Sequence, residues 1–240
     1  VTLSIQVKDW SDIPDRMKRK WLELKYQSLY HLFIDLMIQY KPLIDASPEI
    51  LADIYAKIDW AFLSTSTQPA FTRYGDYYFG EPMLKYATAY EFQMIDTHLQ
   101  KFMKTKDEYH MRVLFFTVAR KRDKEHHIKT GDIRRKIISE TEIEILAKSS
   151  MKIPRYILIA TLHYVQNNLA TVTGMYSKIL RSRSGGGDGL GWMSTFIGIA
   201  ESGVFGNIDM VYETNIHTLF SYLIKKQHEY DEIESQSKKR

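Results

Sequence analysis

The richest concentration of charge in the chain lies between Arg120 and Lys136, where Arg120, Lys121, Arg122, Lys124, Lys129, Arg134, Arg135 and Lys136 outnumber Asp123, Glu125 and Asp132. A flexible basic segment can follow a phosphate backbone, because each phosphate it neutralises releases condensed counterions. Phosphate contacts carry no base information, so the chemistry expected is nucleic-acid binding without sequence preference. A solvated surface loop with no partner is the plain alternative. A second basic group, Lys178, Arg181 and Arg183, runs into the glycine-rich stretch from Ser184 to Gly191. Glycine-rich backbone lets a phosphate approach closely and aims N–H groups at it, while arginine adds bidentate charge. Arginines at a helix C-terminus also suit the macrodipole with no ligand present. The stretch is neither a P-loop nor a dinucleotide fingerprint, since it lacks Gly-Lys-Ser/Thr and a preceding strand.

A third basic group closes the sequence. Lys225 and Lys226 are separated by an acidic, polar spacer from Lys238, Lys239 and Arg240. Two such clusters resemble a bipartite nuclear-import signal, which an import receptor reads in an extended chain. A solvated tail is the other reading. A smaller run, Arg16, Lys18, Arg19 and Lys20, opens the first long helix, where cations oppose the dipole.

Signatures of catalysis are poor, and the chain is read as a non-enzyme. There is no cysteine, hence no thiol nucleophile, disulfide framework or Cys-based zinc site. Neither His-Glu-x-x-His nor Gly-x-Ser-x-Gly occurs, and Asp107-x-x-His110 and Asp123-x-x-His126 are imperfect matches to a di-iron ligand pair. His31, His98, His163 and His217 fall on helix bodies, where hydrogen-bonded packing is expected rather than metal ligation. No cofactor is expected. The aromatic stretch Tyr74 to Glu81 could line a pocket, although such clusters more often pack in cores.

The elements that must position these groups are mainly helical. Of 240 residues, 44% are hydrophobic and 26% charged, an ordinary globular composition with a formal net charge of +4. Val1, Leu3, Ile5 and Val7 alternate as an extended arm, without the pattern of a signal peptide. Helices are expected from Pro14 to before Pro42, from Ser47, from Pro82 to Lys104 and from Asp107 to Arg122. Ser64 to Pro82 reads as an ordered aromatic loop and a hinge, and Arg120 to Lys136 as a loop. Ser139-Glu140-Thr141-Glu142 matches a capping box that opens another helix. Ile153 to Leu180 should form a central helix pair broken near Asn167-Asn168 or Gly174, and Glu213 to Lys226 a final helix. The uncharged stretch Tyr156 to Ser177 is too polar for a bilayer, so no membrane partner is expected.

The fold class expected is therefore mainly α: two helical lobes with a basic cleft and a short extended N-terminal arm. The divisions are an arm at 1–8, an N-terminal lobe at 9–135, a C-terminal lobe at 136–226 and a basic polar tail at 227–240. Helical lobes with cations at their junction resemble nucleocapsid proteins of negative-strand RNA viruses, the plant rhabdovirus branch in particular. The resemblance rests on the block Ile153 to Leu180, the Arg/Gly loop after it and the Lys225 to Arg240 tail. It implies coating of single-stranded RNA, homo-oligomerisation through the exchanged arm Val1 to Val7, and an address in the nucleus or cytoplasm, or in a virion. Two other classes stay open: an all-α enzyme whose pocket is formed by the aromatic and glycine-rich loops, and a helical protein adaptor.

Overall fold

The computed structural model describes residues 67–134, 139–149, 152–177, 179 and 191–238. Among them the chain forms eight α-helices and one three-stranded sheet, so the mainly α expectation holds. The arm, the first two expected helices, the Arg16 to Lys20 run, Arg135, Lys136, Lys178, Arg181, Arg183, the glycine-rich stretch up to Leu190, Lys239 and Arg240 lie outside the described residues.

The aromatic stretch is a hairpin rather than a loop. Strand β1 (Arg73–Tyr74) turns at Gly75, whose φ of +57° suits a residue without Cβ, into β2 (Tyr77–Phe79). Tyr77 and Phe79 share a face by strand alternation and press edge-on or tilted against Phe115, at centroid separations of 5.6 and 5.9 Å. Phe79 belongs to the core and Tyr77 packs against it. Pro82 starts a 3-10 turn (Pro82–Leu84) instead of the expected long helix, and Met83 and Leu84 at φ +57° and +53° end it.

Helix α1 (Ala89–Thr105) starts seven residues after Pro82, where the Thr88 hydroxyl accepts the Glu91 N–H at 3.2 Å. Helix α2 (Glu108–Val118) stops short of Arg122, because Ala119 passes directly into β3 (Ala119–Lys121), antiparallel to β2. Helix α3 (Lys124–Thr130) occupies part of the expected basic loop, capped by Asp123 at its start and by Gly131 at φ +81° at its end. Helix α4 (Glu140–Lys148) begins where the capping box places it, with the Ser139 hydroxyl accepting from the Glu142 N–H at 3.2 Å.

Helix α5 (Arg155–Met175) runs through the middle of the molecule and is buried without a break from Ile157 to Val165. Its lack of charge is what such a position requires, since each unpaired buried charge would be costly. The expected break at Asn167-Asn168 does not occur. Asn168 is buried, and its Nδ2 donates to the Tyr164 and Thr67 carbonyls at 2.7 and 2.8 Å while its side-chain oxygen accepts the Met83 N–H. Helices α6 (Trp192–Glu201), α7 (Ile208–Glu213) and α8 (Ile216–Ser237) complete the described chain. The expected tail at 227–240 is helical as far as Ser237, held by pairs one turn apart such as Gln227 with Asp231 and Lys238 with Glu234.

One apolar cluster extends from Ala70 to Leu223 and includes Phe115 and Leu158, on opposite sides of the expected 135/136 boundary. Within the described residues that boundary does not divide the core. Among these residues no helix is long and apolar enough to cross a membrane.

Candidate functional site

Four charged side chains from distant parts of the sequence meet inside the protein. Glu91 is set by the first turn of α1, Arg120 by β3, and Asp132 and Arg134 by the return segment after α3. Their exposures are 2%, 8%, 3% and 2%. Arg134 donates through Nε and Nη2 to the two oxygens of Asp132 at 3.0 and 2.8 Å, and through Nη1 to Glu91 Oε1 at 3.0 Å and the Val118 carbonyl at 2.8 Å. Arg120 Nη2 reaches Glu91 at 3.2 Å and Asp132 at 3.5 Å.

The quartet is neutral in sum, which is how charges survive in a medium that solvates ions poorly. Burial alone would lower Arg134 and raise Asp132, yet the opposite charges beside them outweigh burial. Arg134 is held above the usual arginine value and Asp132 below the usual carboxylate range. Arg120 has less compensation, and burial with Arg134 nearby lowers it to about 10, so it stays charged at neutral pH. Gly80 makes the arrangement possible: a Cβ there would lie 2.7 Å from Arg134 Nη1 and 2.9 Å from the Tyr164 hydroxyl.

The expectation that Arg120 and Arg134 face a polymer is thereby corrected. They are packed against two carboxylates and offer no charge to solvent. Lys121 differs from Arg120 by the alternation of an extended chain and is exposed; Arg122, beyond the end of β3, and Lys124 and Lys129 on α3 are exposed as well. Helix α3 has no buried residue, and Ile128 on it is 83% exposed. Its two ends are tied by a bridge between Arg122 and Arg134 and by the Asp123 N–H donating to the Ile133 carbonyl at 3.0 Å.

Of the third basic group, Lys225 and Lys226 stand on α8 and Lys238 caps its end, Lys226 pairing with Glu229 at 2.8 Å and Lys238 with Glu234 at 2.6 Å. Lys225 and Lys226 are helical where an import receptor needs extended chain.

Above the quartet lies a cavity of about 560 Å³. Arg120 forms part of its lining, with the rings of Tyr86, Tyr90 and Tyr212 and the carboxylates of Glu140, Asp209 and Glu213. Burial and the neighbouring Glu140 push the Tyr90 phenol up to about 12, so it is a neutral hydroxyl at any physiological pH. The Nε of Arg120 is buried without a hydrogen-bond partner.

His31 lies outside the described residues, and His98 and His217 are packing groups. His98 Nδ1 lies 3.1 Å from His110 Nδ1, so one ring donates and the other accepts. Burial, then the Lys101 charge, lowers His98 to about 4. His217 bonds the Tyr176 hydroxyl and the Met83 carbonyl at 2.9 and 2.8 Å. Among the described residues no group of three or more His, Asp or Glu is arranged to hold a metal ion.

Glu91 is the site residue that sequence reasoning missed. Its signal, Thr88-x-x-Glu91, reads as a capping pattern and gives no hint of partners 29 and 43 residues downstream. Compared with protein families, characterised proteins and solved structures, the chain matches none.

Proposed function

We propose that this protein binds single-stranded RNA without sequence preference and coats it, in the manner of a nucleocapsid protein rather than an enzyme. One observation carries the reading: α3 and its approach hold four exposed cations, Lys121, Arg122, Lys124 and Lys129, on a surface segment whose base is fixed by the buried quartet. A helix that buries nothing adds little to the core, and its fixed ends keep the cations together. Such a segment suits a polymer backbone, which needs repeated charge and few base-edge donors. Homo-oligomerisation through Val1 to Val7 belongs to the same proposal.

Fluorescence anisotropy with a labelled oligo(rU), read at several salt concentrations, tests it. Replacing Lys121, Arg122, Lys124 and Lys129 by Ala should flatten the logarithmic salt dependence by about 0.7 for each cation lost. The weakening should be equal on oligo(rA) and mixed sequences. Salt-independent binding, or a quadruple variant that binds as the parent does, overturns the reading.

A further inference from the structure

The two histidines near the bend between α1 and α2 have room for few protons. His98 on α1 is 2% exposed and His110 on α2 is half-buried, and their Nδ1 atoms lie 3.1 Å apart. Such a contact is a hydrogen bond only while one nitrogen carries a hydrogen and the other a lone pair. The Nε2 of His98 is buried without a hydrogen-bond partner, so a charge on that ring would be neither shared nor hydrated. Lys101 on α1 adds a like charge, and opposite charges come from Asp107 at the cap of α2 and Glu144 on α4. Lys148 of α4 stands over the Tyr109 ring, 5.7 Å from its centroid. Helix α5, packed against both α1 and α2, carries no carboxylate or lysine, and its one histidine is His163. Helices α6, α7 and α8 meet α1 nearer its start, at Tyr90 and Phe92.

A first added proton can rest on His110, whose ring reaches solvent beside Asp107, and the bond it donates to His98 is then charge-assisted. A second would set N–H against N–H and bury a charge on His98. The rings must separate to accept it, and the first turn of α2 is the part that yields most readily, because a helix end has the fewest internal hydrogen bonds. Only Lys106, at φ +58°, and Asp107 join the two helices there. We propose that the pair is a proton-operated latch: a second proton lifts the first turn of α2 off α1 about the Lys106 joint, wets His98 and uncovers the buried Phe102 and Met111 while the rest of the fold stays closed. The other end of each helix is held by the quartet, in which Arg134 and Asp132 keep their charges in mild acid, and by the packing of Phe92 and Phe115. None of the cations assigned to RNA takes part.

Hydrogen–deuterium exchange of the full chain at pH 7 and pH 5, with rates divided by those of unstructured peptide at each pH, tests the latch. A His98 held at about 4 while closed and released to about 6.5 when wet favours opening by about twentyfold between those conditions. Protection of the amides from Tyr109 to Val113 should fall by that factor, while protection from Ile157 to Val165 on α5 should hold within about twofold. The His98→Gln variant should lose most of the selective fall, and His127→Gln, on the exposed α3, should behave as the parent does. The comparison of α2 with α5 is made in the unaltered protein, so it decides the matter even if His98→Gln folds poorly. No fall at α2, or an equal fall at α5, overturns the proposal. A selective fall that persists undiminished in His98→Gln, or that vanishes in His127→Gln, overturns it as well.

Discussion

In the quartet beneath the cavity, Arg134 meets Asp132 at 2.8 Å with both side chains almost completely withdrawn from water; on the outer half of α8, Lys226 meets Glu229 at the same 2.8 Å in open solvent. Separation is identical and the residue types are nearly so. The surroundings make the two unlike: water competes for every exposed charge and salt screens it, whereas a buried charge has only its partners. Losing a partner is thus serious in one place and trivial in the other. Short ion-pair distances alone say little about stability.

The comparison breaks most violently at Arg134. Replacing it by Ala should leave two buried carboxylates to share the single Arg120 charge and destabilise the fold by about 3–5 kcal/mol, as read by urea unfolding. Lysine should rescue little, because one ammonium cannot reproduce a fork that serves Glu91, Asp132 and the Val118 carbonyl together. Gly80→Ala comes next. Its new methyl group would crowd Arg134 and the Tyr164 hydroxyl, with an expected cost of about 1–3 kcal/mol in the same assay.

Acid sharpens the contrast more gently and in two stages. His98 takes up its proton at about 4 in the fold, but near 6.5 in the unfolded chain. The unfolded state therefore binds more protons between those values, and the melting temperature should fall as pH drops from about 6.5 to 4. A His98→Gln variant should show a smaller first decline, the remainder coming from His110, which burial also lowers. Asp132 is depressed, so its contribution is complete above its unfolded value of about 3.9 and is lost as pH falls below it. The smallest effect belongs to α8, where Lys226→Ala should leave thermal stability unchanged at any ionic strength. A clear drop there would show the outer helix to be packed against something in solution.

Sequence reading found what local chemistry controls. The Ser139 cap, the uncharged centre of α5 and the mainly helical class all follow from neighbours within a turn or two. It failed where a distant partner decides. Arg120 and Lys121 look equivalent in a basic run, but one faces Glu91 and the other faces water. Asn167-Asn168 suggests a break, yet the buried amide of Asn168 finds acceptors at Tyr164 and Thr67, the latter 101 residues away. The C-terminal segment looked like a tail because its apolar stripe fades, while pairs between charges one turn apart are enough to continue the helix.

The passage from α2 to β3 contains no linker residue: Val118 is the last of the helix and Ala119 the first of the strand. Chain length at this joint is consequently quantised. Adding a single residue between them would turn β3 by half its two-residue repeat, carrying Arg120 to the aromatic side of the hairpin and leaving Glu91 and Asp132 to face an alanine or a lysine. The protein can absorb added length in a surface turn such as Gly203–Gly206, whereas here an insertion of one codon would take an arginine out of the ion-pair network at the centre of the fold.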